Sequence, residues 1–102
     1  MRYAVWKYEL DEVGQYVHLD LRRGSRFLTL QPQLVPVPGE HPRETPVMWM
    51  LVPVYEDLME TRTFYGVPTG MVTTIPGEDT YLGTVQAIGG SFVLHYFEQA
   101  HA

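Results

Sequence analysis

Apolar and polar residues alternate with a period of two along most of this chain, and no window of a dozen residues carries a 3.6-residue apolar stripe, so the pattern predicts strands throughout. Over residues 3–10, Ala4, Trp6, Tyr8 and Leu10 fall on one side of a strand and Tyr3, Val5, Lys7 and Glu9 on the other. After an acidic turn at Asp11-Glu12, Val13, Gln15, Val17, Leu19 and Leu21 share a face opposite Tyr16, His18 and Asp20. Arg22-Arg23-Gly24-Ser25 reads as a tight turn in which Gly24 takes positive φ. This turn predicts a hairpin onto a third strand, 26–31, with Leu28 and Leu30 on one face.

Five of the chain's eight prolines lie between Pro32 and Pro46. Each removes a ladder donor, which excludes a central strand and predicts an extended arm or loop whose Leu34, Val35 and Val37 lie against a surface. Residues 46–54 are apolar on both faces, Val47, Trp49 and Leu51 on one and Met48, Met50 and Val52 on the other. Such a strand is expected to be the most buried, with Trp49 at the centre of the core. Residues 55–60 fit either one helical turn or a wide loop. Residues 61–67 read as a strand ended by Pro68-Thr69-Gly70, and 71–79 as a second long loop. Strands over 81–88 and 91–97 are joined by Gly89-Gly90, the dipeptide of a primed hairpin turn. Seven strands in one chain of 102 residues predict an all-β fold: a small single-domain sandwich or partly open barrel of mostly antiparallel strands.

Charge and composition narrow the function. Twelve acidic against seven basic residues give a net charge of −5, which disfavours the phosphate-neutralising surface of a nucleic-acid binder. The absence of cysteine excludes disulfides, thiolate chemistry and cysteine-based metal sites together. The N-terminus meets charge at Lys7 and Glu9 without a signal-like apolar run, and the longest nearly apolar stretch, 46–55, is half the length of a membrane-spanning helix. A soluble, cytoplasmic protein with no membrane partner is expected. Because a core of this size is modest and a small open sheet leaves its edges bare, a homodimer is expected as well.

Catalytic signals are weak. His18, His41, His95 and His101 show no metal-ligand spacing, and no metal or cofactor is expected. His95 lies mid-strand, where an imidazole bonded to one neighbour is the ordinary reading and a catalytic base the sharper one; His18 stands beside Asp20 with no nucleophile suggested. Glu56, Asp57 and Glu60 form an acidic cluster without the alternating ligands or the glycine of a calcium loop. Gly83 lies inside a strand, as at a bulge or a close backbone approach, and Ser25 and Ser91 sit in no nucleophile elbow. Trp6, Tyr8, Trp49, Phe64, Tyr65, Tyr81, Phe92, Tyr96 and Phe97 are many for so small a domain; most are expected in the core, and a few grouped on an exposed sheet face would mark a dimer or partner surface, a sugar platform being the weaker option.

The order of several short segments is suggestive as a whole: Trp6-Lys7-Tyr8-Glu9-Leu10, Leu21-Arg22-Arg23-Gly24-Ser25, Pro46-Val47-Met48-Trp49, Arg62-Thr63-Phe64, and Tyr81-Leu82-Gly83-Thr84-Val85 followed by the run from Gly89 to Glu98. Together they resemble a family of small tailed-bacteriophage proteins of unknown function, over nearly the whole chain. Its members carry a Gly-Thr-Gly-His stretch after the middle strand, where this chain reads Val67-Pro68-Thr69-Gly70-Met71 without the histidine, and the arm at 32–46 is longer than usual. The family brings no known activity with it; the lack of a catalytic constellation, the acidic surface and this resemblance together lead to the expectation of a non-enzymatic phage accessory protein that binds a protein in the infected host cell. The alternatives are a minor virion or assembly component and, third, a small-molecule enzyme using His95 or His18.

Overall fold

Seven strands and no helix form among the residues described by the computed structural model, 1–10, 16–87 and 92–100. They are β1 (Tyr3–Glu9), β2 (Tyr16–Arg22), β3 (Arg26–Val35), β4 (Arg43–Pro53), β5 (Met59–Pro68), β6 (Thr80–Ala87) and β7 (Phe92–Glu98). All pairings are antiparallel. They build two sheets, ordered β1-β4-β3 and β2-β5-β7-β6, which pack as a sandwich with no closed barrel. Among the five pairings only β3–β4 and β6–β7 join strands consecutive in the chain. The turn expected at Gly89-Gly90, the start of the second strand at Val13 and Gln15, and the acidic turn at Asp11-Glu12 lie outside the described residues.

Alternation fills the interior as the pattern predicts. Leu10, Leu21, Met48, Met50, Val52, Phe64, Val85, Leu94 and Tyr96 form one buried cluster drawn from both sheets, with Tyr8, Val17, Leu19, Phe27, Leu30 and Leu82 packed around it. β4 is the most buried strand, because β1 and β3 cover both its edges. Trp49, however, is not the centre of the core. The period of two that sends Met48, Met50 and Val52 inward sends Trp49 and Leu51 to the sheet's outer face, where both are half-buried. Val47, on that outer face, is fully buried; at its level a hydrogen bond from Lys7 Nζ to Gln33 Oε1 (3.0 Å) crosses β4 diagonally.

Three further expectations change. Gly24 takes φ 87° as predicted, and Ser25 closes the turn on the Arg22 carbonyl, yet β2 and β3 do not form a hairpin. The turn instead carries the chain from one sheet to the other, since β3 finds a ladder of nine residue pairs along β4, longer than the seven residues of β2. The proline-rich segment is likewise not an arm over 32–46: β3 continues through Val35 and β4 begins at Arg43, leaving only 36–42 as a loop. Pro32 faces Pro46 directly. The Pro46 carbonyl accepts from Leu10 N (2.8 Å), on the side away from β3, so the two prolines meet as a non-hydrogen-bonded pair in which neither is asked for a donor. Finally, the register slips between Phe27 and Thr29, which makes Leu28 an extra, exposed residue. Strict alternation would send either Phe27 or Leu30 out of the core, and the bulge lets both point in.

Two inward-phase positions on β5, Glu60 and Arg62, and one on β7, Glu98, are charged. Arg62 donates from Nε (2.6 Å) and Nη2 (2.7 Å) to the two oxygens of Glu98 and from Nη1 (2.5 Å) to the Ser25 carbonyl. Both side chains are nearly buried, at 11% and 12% exposure, so the bidentate pair ties β5, β7 and the crossover turn together in a desolvated setting. Arg22 makes a second link between sheets, its guanidinium 5.3 Å from the Trp6 ring and bonded to the Val54 carbonyl. No helix among the described residues is long and apolar enough to cross a membrane.

Candidate functional site: the outer face of the four-stranded sheet

On the four-stranded sheet the residues pointing away from the core include an aromatic from every strand in one row. Tyr16 on β2 pairs with Tyr65 on β5, Tyr65 with Phe97 on β7, and Phe97 with Tyr81 on β6. Their ring centroids stand 5.2, 5.5 and 5.5 Å apart along the row, within the range of attractive aromatic pairs. The inner two rings are sheltered and the outer two open: Tyr65 is 8% exposed, Tyr16 54% and Tyr81 56%. A bulge between Tyr81 and Gly83 brings both Tyr81 and Thr84 to this face, where their hydroxyls bond at 2.5 Å. Gly83 therefore sits at a bulge, as its place in the strand suggested, with the Leu30 side chain across the sandwich beside it.

The loop 69–79 folds over one end of the row. Asp79 fastens it: Oδ2 accepts from the Tyr65 hydroxyl (2.5 Å) and Oδ1 from Ala100 N (2.9 Å). Burial, and then the bond to this carboxylate, push the Tyr65 hydroxyl well above the usual tyrosine range, so it remains a proton donor. Between Tyr16, Tyr65 and Val67 on the sheet and Met71, Thr73 and Thr74 in the loop lies a depression of about 110 Å³. Met71, Val72 and Ile75 are exposed at 58%, 99% and 39%, so the loop presents apolar side chains to solvent beside this hollow.

His18 and His95 both reach this face but not each other, because the aromatic row runs between their positions in the register. His18 Nδ1 bonds the Thr63 hydroxyl (2.8 Å), and neighbouring Asp20 accepts from Thr61 (2.7 Å) rather than from the imidazole. His95 has both ring nitrogens engaged, Nε2 with Thr69 (2.7 Å) and Nδ1 with Thr84 (2.9 Å). A chain of hydroxyls and imidazole thus runs from Tyr81 through Thr84 and His95 to Thr69, orienting the rim of the aromatic row. His41 lies exposed in the loop before β4, and His101 and Ser91 lie outside the described residues.

The acidic cluster does not converge. Glu56 accepts from Leu58 N and so closes the turn before β5, Asp57 is exposed, and Glu60 stands 3.9 Å from Arg62. Among the described residues no three His, Asp or Glu side chains form a group that would hold a metal ion. The row itself and the Tyr65–Asp79 clamp escape sequence reading. Alternation does place Tyr16, Tyr65, Phe97 and Tyr81 on one face of each strand, but only the register between strands aligns them.

The chain belongs to the family described as Domain of unknown function (DUF7352), which matches residues 1–102. No curated protein and no solved structure matches it.

Proposed function

For this member of a family of unknown function, we propose a non-enzymatic role: the chain is a phage accessory protein that binds a protein in the cytoplasm of the infected host cell through the outer face of its four-stranded sheet. The observation that carries the reading is the row Tyr16–Tyr65–Phe97–Tyr81 with its two half-exposed outer rings beside a hollow of about 110 Å³. Tyrosines held rigid by neighbours supply contact area at little entropic cost and recur as anchors in interfaces. Asp20 on the same face and the net charge of −5 favour a partner whose contact surface is basic. Catalysis fits this face poorly. His18 and His95 are bonded to threonine hydroxyls, on opposite sides of the row, and among the described residues no acid or base is hydrogen-bonded to either.

The test is affinity capture from host lysate by the purified protein and by a Tyr16→Ser/Tyr81→Ser variant whose fold is verified by circular dichroism. A host protein enriched by the parent and lost by the variant supports the reading. Equal capture by both, or capture of nothing, rejects it. Detection of the chain by mass spectrometry in purified virions would move the role to a minor particle component.

A further inference from the structure

The geometry points to a second copy of this chain as the partner of the β1 edge, paired antiparallel about a two-fold axis at Trp6 to make one continuous six-stranded sheet. This site is separate from the aromatic row, since β1 belongs to the other sheet.

Four strands end the two sheets: β1 and β3 in one, β2 and β6 in the other. An open edge invites pairing with another chain unless it is interrupted. β3 is interrupted twice, by the bulge at Leu28 and by Pro32, and β6 once, by its bulge before Gly83. β2 is as long as β1 and as regularly paired, but its one exposed apolar side chain, Tyr16, belongs to the aromatic row, with Asp20 on the same face. β1 alone combines an unbroken seven-residue ladder with exposed apolar side chains on both of its faces, Tyr3 (44%), Val5 (56%) and Trp6 (41%). Among the described residues no strand pairs with its outer side.

The direction of its backbone groups fixes the register. Leu10 donates to Pro46, and the Arg2 carbonyl accepts from Val54, so even-numbered residues of β1 turn their N–H and C=O groups toward β4. Tyr3, Val5, Lys7 and Glu9 therefore turn theirs outward. An antiparallel copy must match odd residues with odd ones. Centred on Trp6, Tyr3 meets Glu9 and Val5 meets Lys7 of the second copy, the whole strand is used, and no like charges oppose. Sliding one copy by two residues either sets Lys7 against Lys7 or carries Glu9 beyond the start of the other strand at Tyr3. The centred register is the one that is both complete and free of repulsion, and it is isologous, as a closed dimer requires.

Light scattering on the parent protein at high micromolar concentration is expected to give twice the 11.7 kDa chain mass. Val5→Pro removes a donor that faces away from β4, so the fold survives and the mass halves. Because the chain has no cysteine, Trp6→Cys supplies a single thiol that lies across the axis from its copy at the close spacing of a non-hydrogen-bonded pair. Oxidation is expected to cross-link most of it, and to cross-link little of Ala4→Cys, whose opposite residue is Tyr8. A monomeric parent overturns the inference. So does a Val5→Pro variant that stays dimeric; if that variant fails to fold, equal cross-linking at positions 4 and 6 overturns it instead.

Discussion

Gly66 and Tyr96 face each other across β5 and β7, and the ring lies so close that a Cβ at position 66 would stand 2.9 Å from its Cζ. Both residues are buried, so the ring has no room to retreat. Gly66→Ala is expected to cost about 1–3 kcal/mol by overpacking, read as a lower midpoint in chemical denaturation. The Tyr96 hydroxyl at the end of that ring is buried with no hydrogen-bond partner among the described residues, and burial raises its pKa to about 12 from an ordinary 10. A tyrosine whose folded pKa lies above its unfolded one gives its full stabilisation below pH 10. Between pH 10 and 12 the unfolded chain ionises first, and stability falls by about 1.4 kcal/mol per pH unit from this group. Tyr96→Phe removes the orphaned hydroxyl and is expected to gain about 1 kcal/mol at pH 7 while flattening that alkaline decline, both readable from urea midpoints measured across the pH range. Trp49 makes the contrasting case. Met50→Ala, at 0% exposure, should cost roughly 2–5 kcal/mol, and Trp49→Ala, half-buried on the outer face, only about 1–2 kcal/mol. A larger loss for Trp49 in the same denaturation series would return it to the core.

At the level of strands, the Arg62–Glu98 pair tests how a charged couple behaves between two sheets. Replacing either member by leucine leaves the other charge nearly buried and is expected to cost roughly 3–5 kcal/mol. The double variant Arg62→Leu/Glu98→Leu leaves neither stranded and should recover most of that loss, which a double-mutant cycle by denaturation measures directly. The inward direction of both residues is legible in the sequence: Arg62 alternates in phase with Phe64 and Glu98 with Tyr96. Their meeting is not, because periodicity reports which face a residue takes and says nothing of which strand lies alongside. The same gap explains the hairpin wrongly expected at Gly24. Its φ and turn chemistry are local and were readable, whereas the choice between joining β2 and crossing to the other sheet depends on the ladder that β4 offers. It explains Leu28 too, since a bulge answers the demands of Phe27 and Leu30 together. Among the candidate site residues, the strand positions of His18, His95 and the tyrosines could be read along the chain, while their alignment into one row and one hydroxyl relay belongs to the pairing of β2, β5, β7 and β6.

For the molecule as a whole, the pairing scheme governs how the native state is reached. Only β3–β4 and β6–β7 join neighbours in the chain; β1 waits for β4, β2 for β5, and β5 for β7. Closing long loops before contacts repay them is slow, so refolding is expected in milliseconds to seconds, as in other sandwiches dominated by distant pairings. The two hairpins are the natural starting points, one in each sheet, and Leu30 of the first reaches across to Gly83 of the second, its Cδ1 3.7 Å from where a Cβ at that position would stand. Stopped-flow measurements should then find that Leu30→Ala and Val85→Ala slow refolding, while Leu21→Ala, on a strand recruited later, mainly speeds unfolding. On a nascent chain β1 and β3 find their partner as soon as β4 has emerged, whereas β2 has to wait, unpaired, until β5 is synthesised, and β5 in turn stays open on one side until β7 follows.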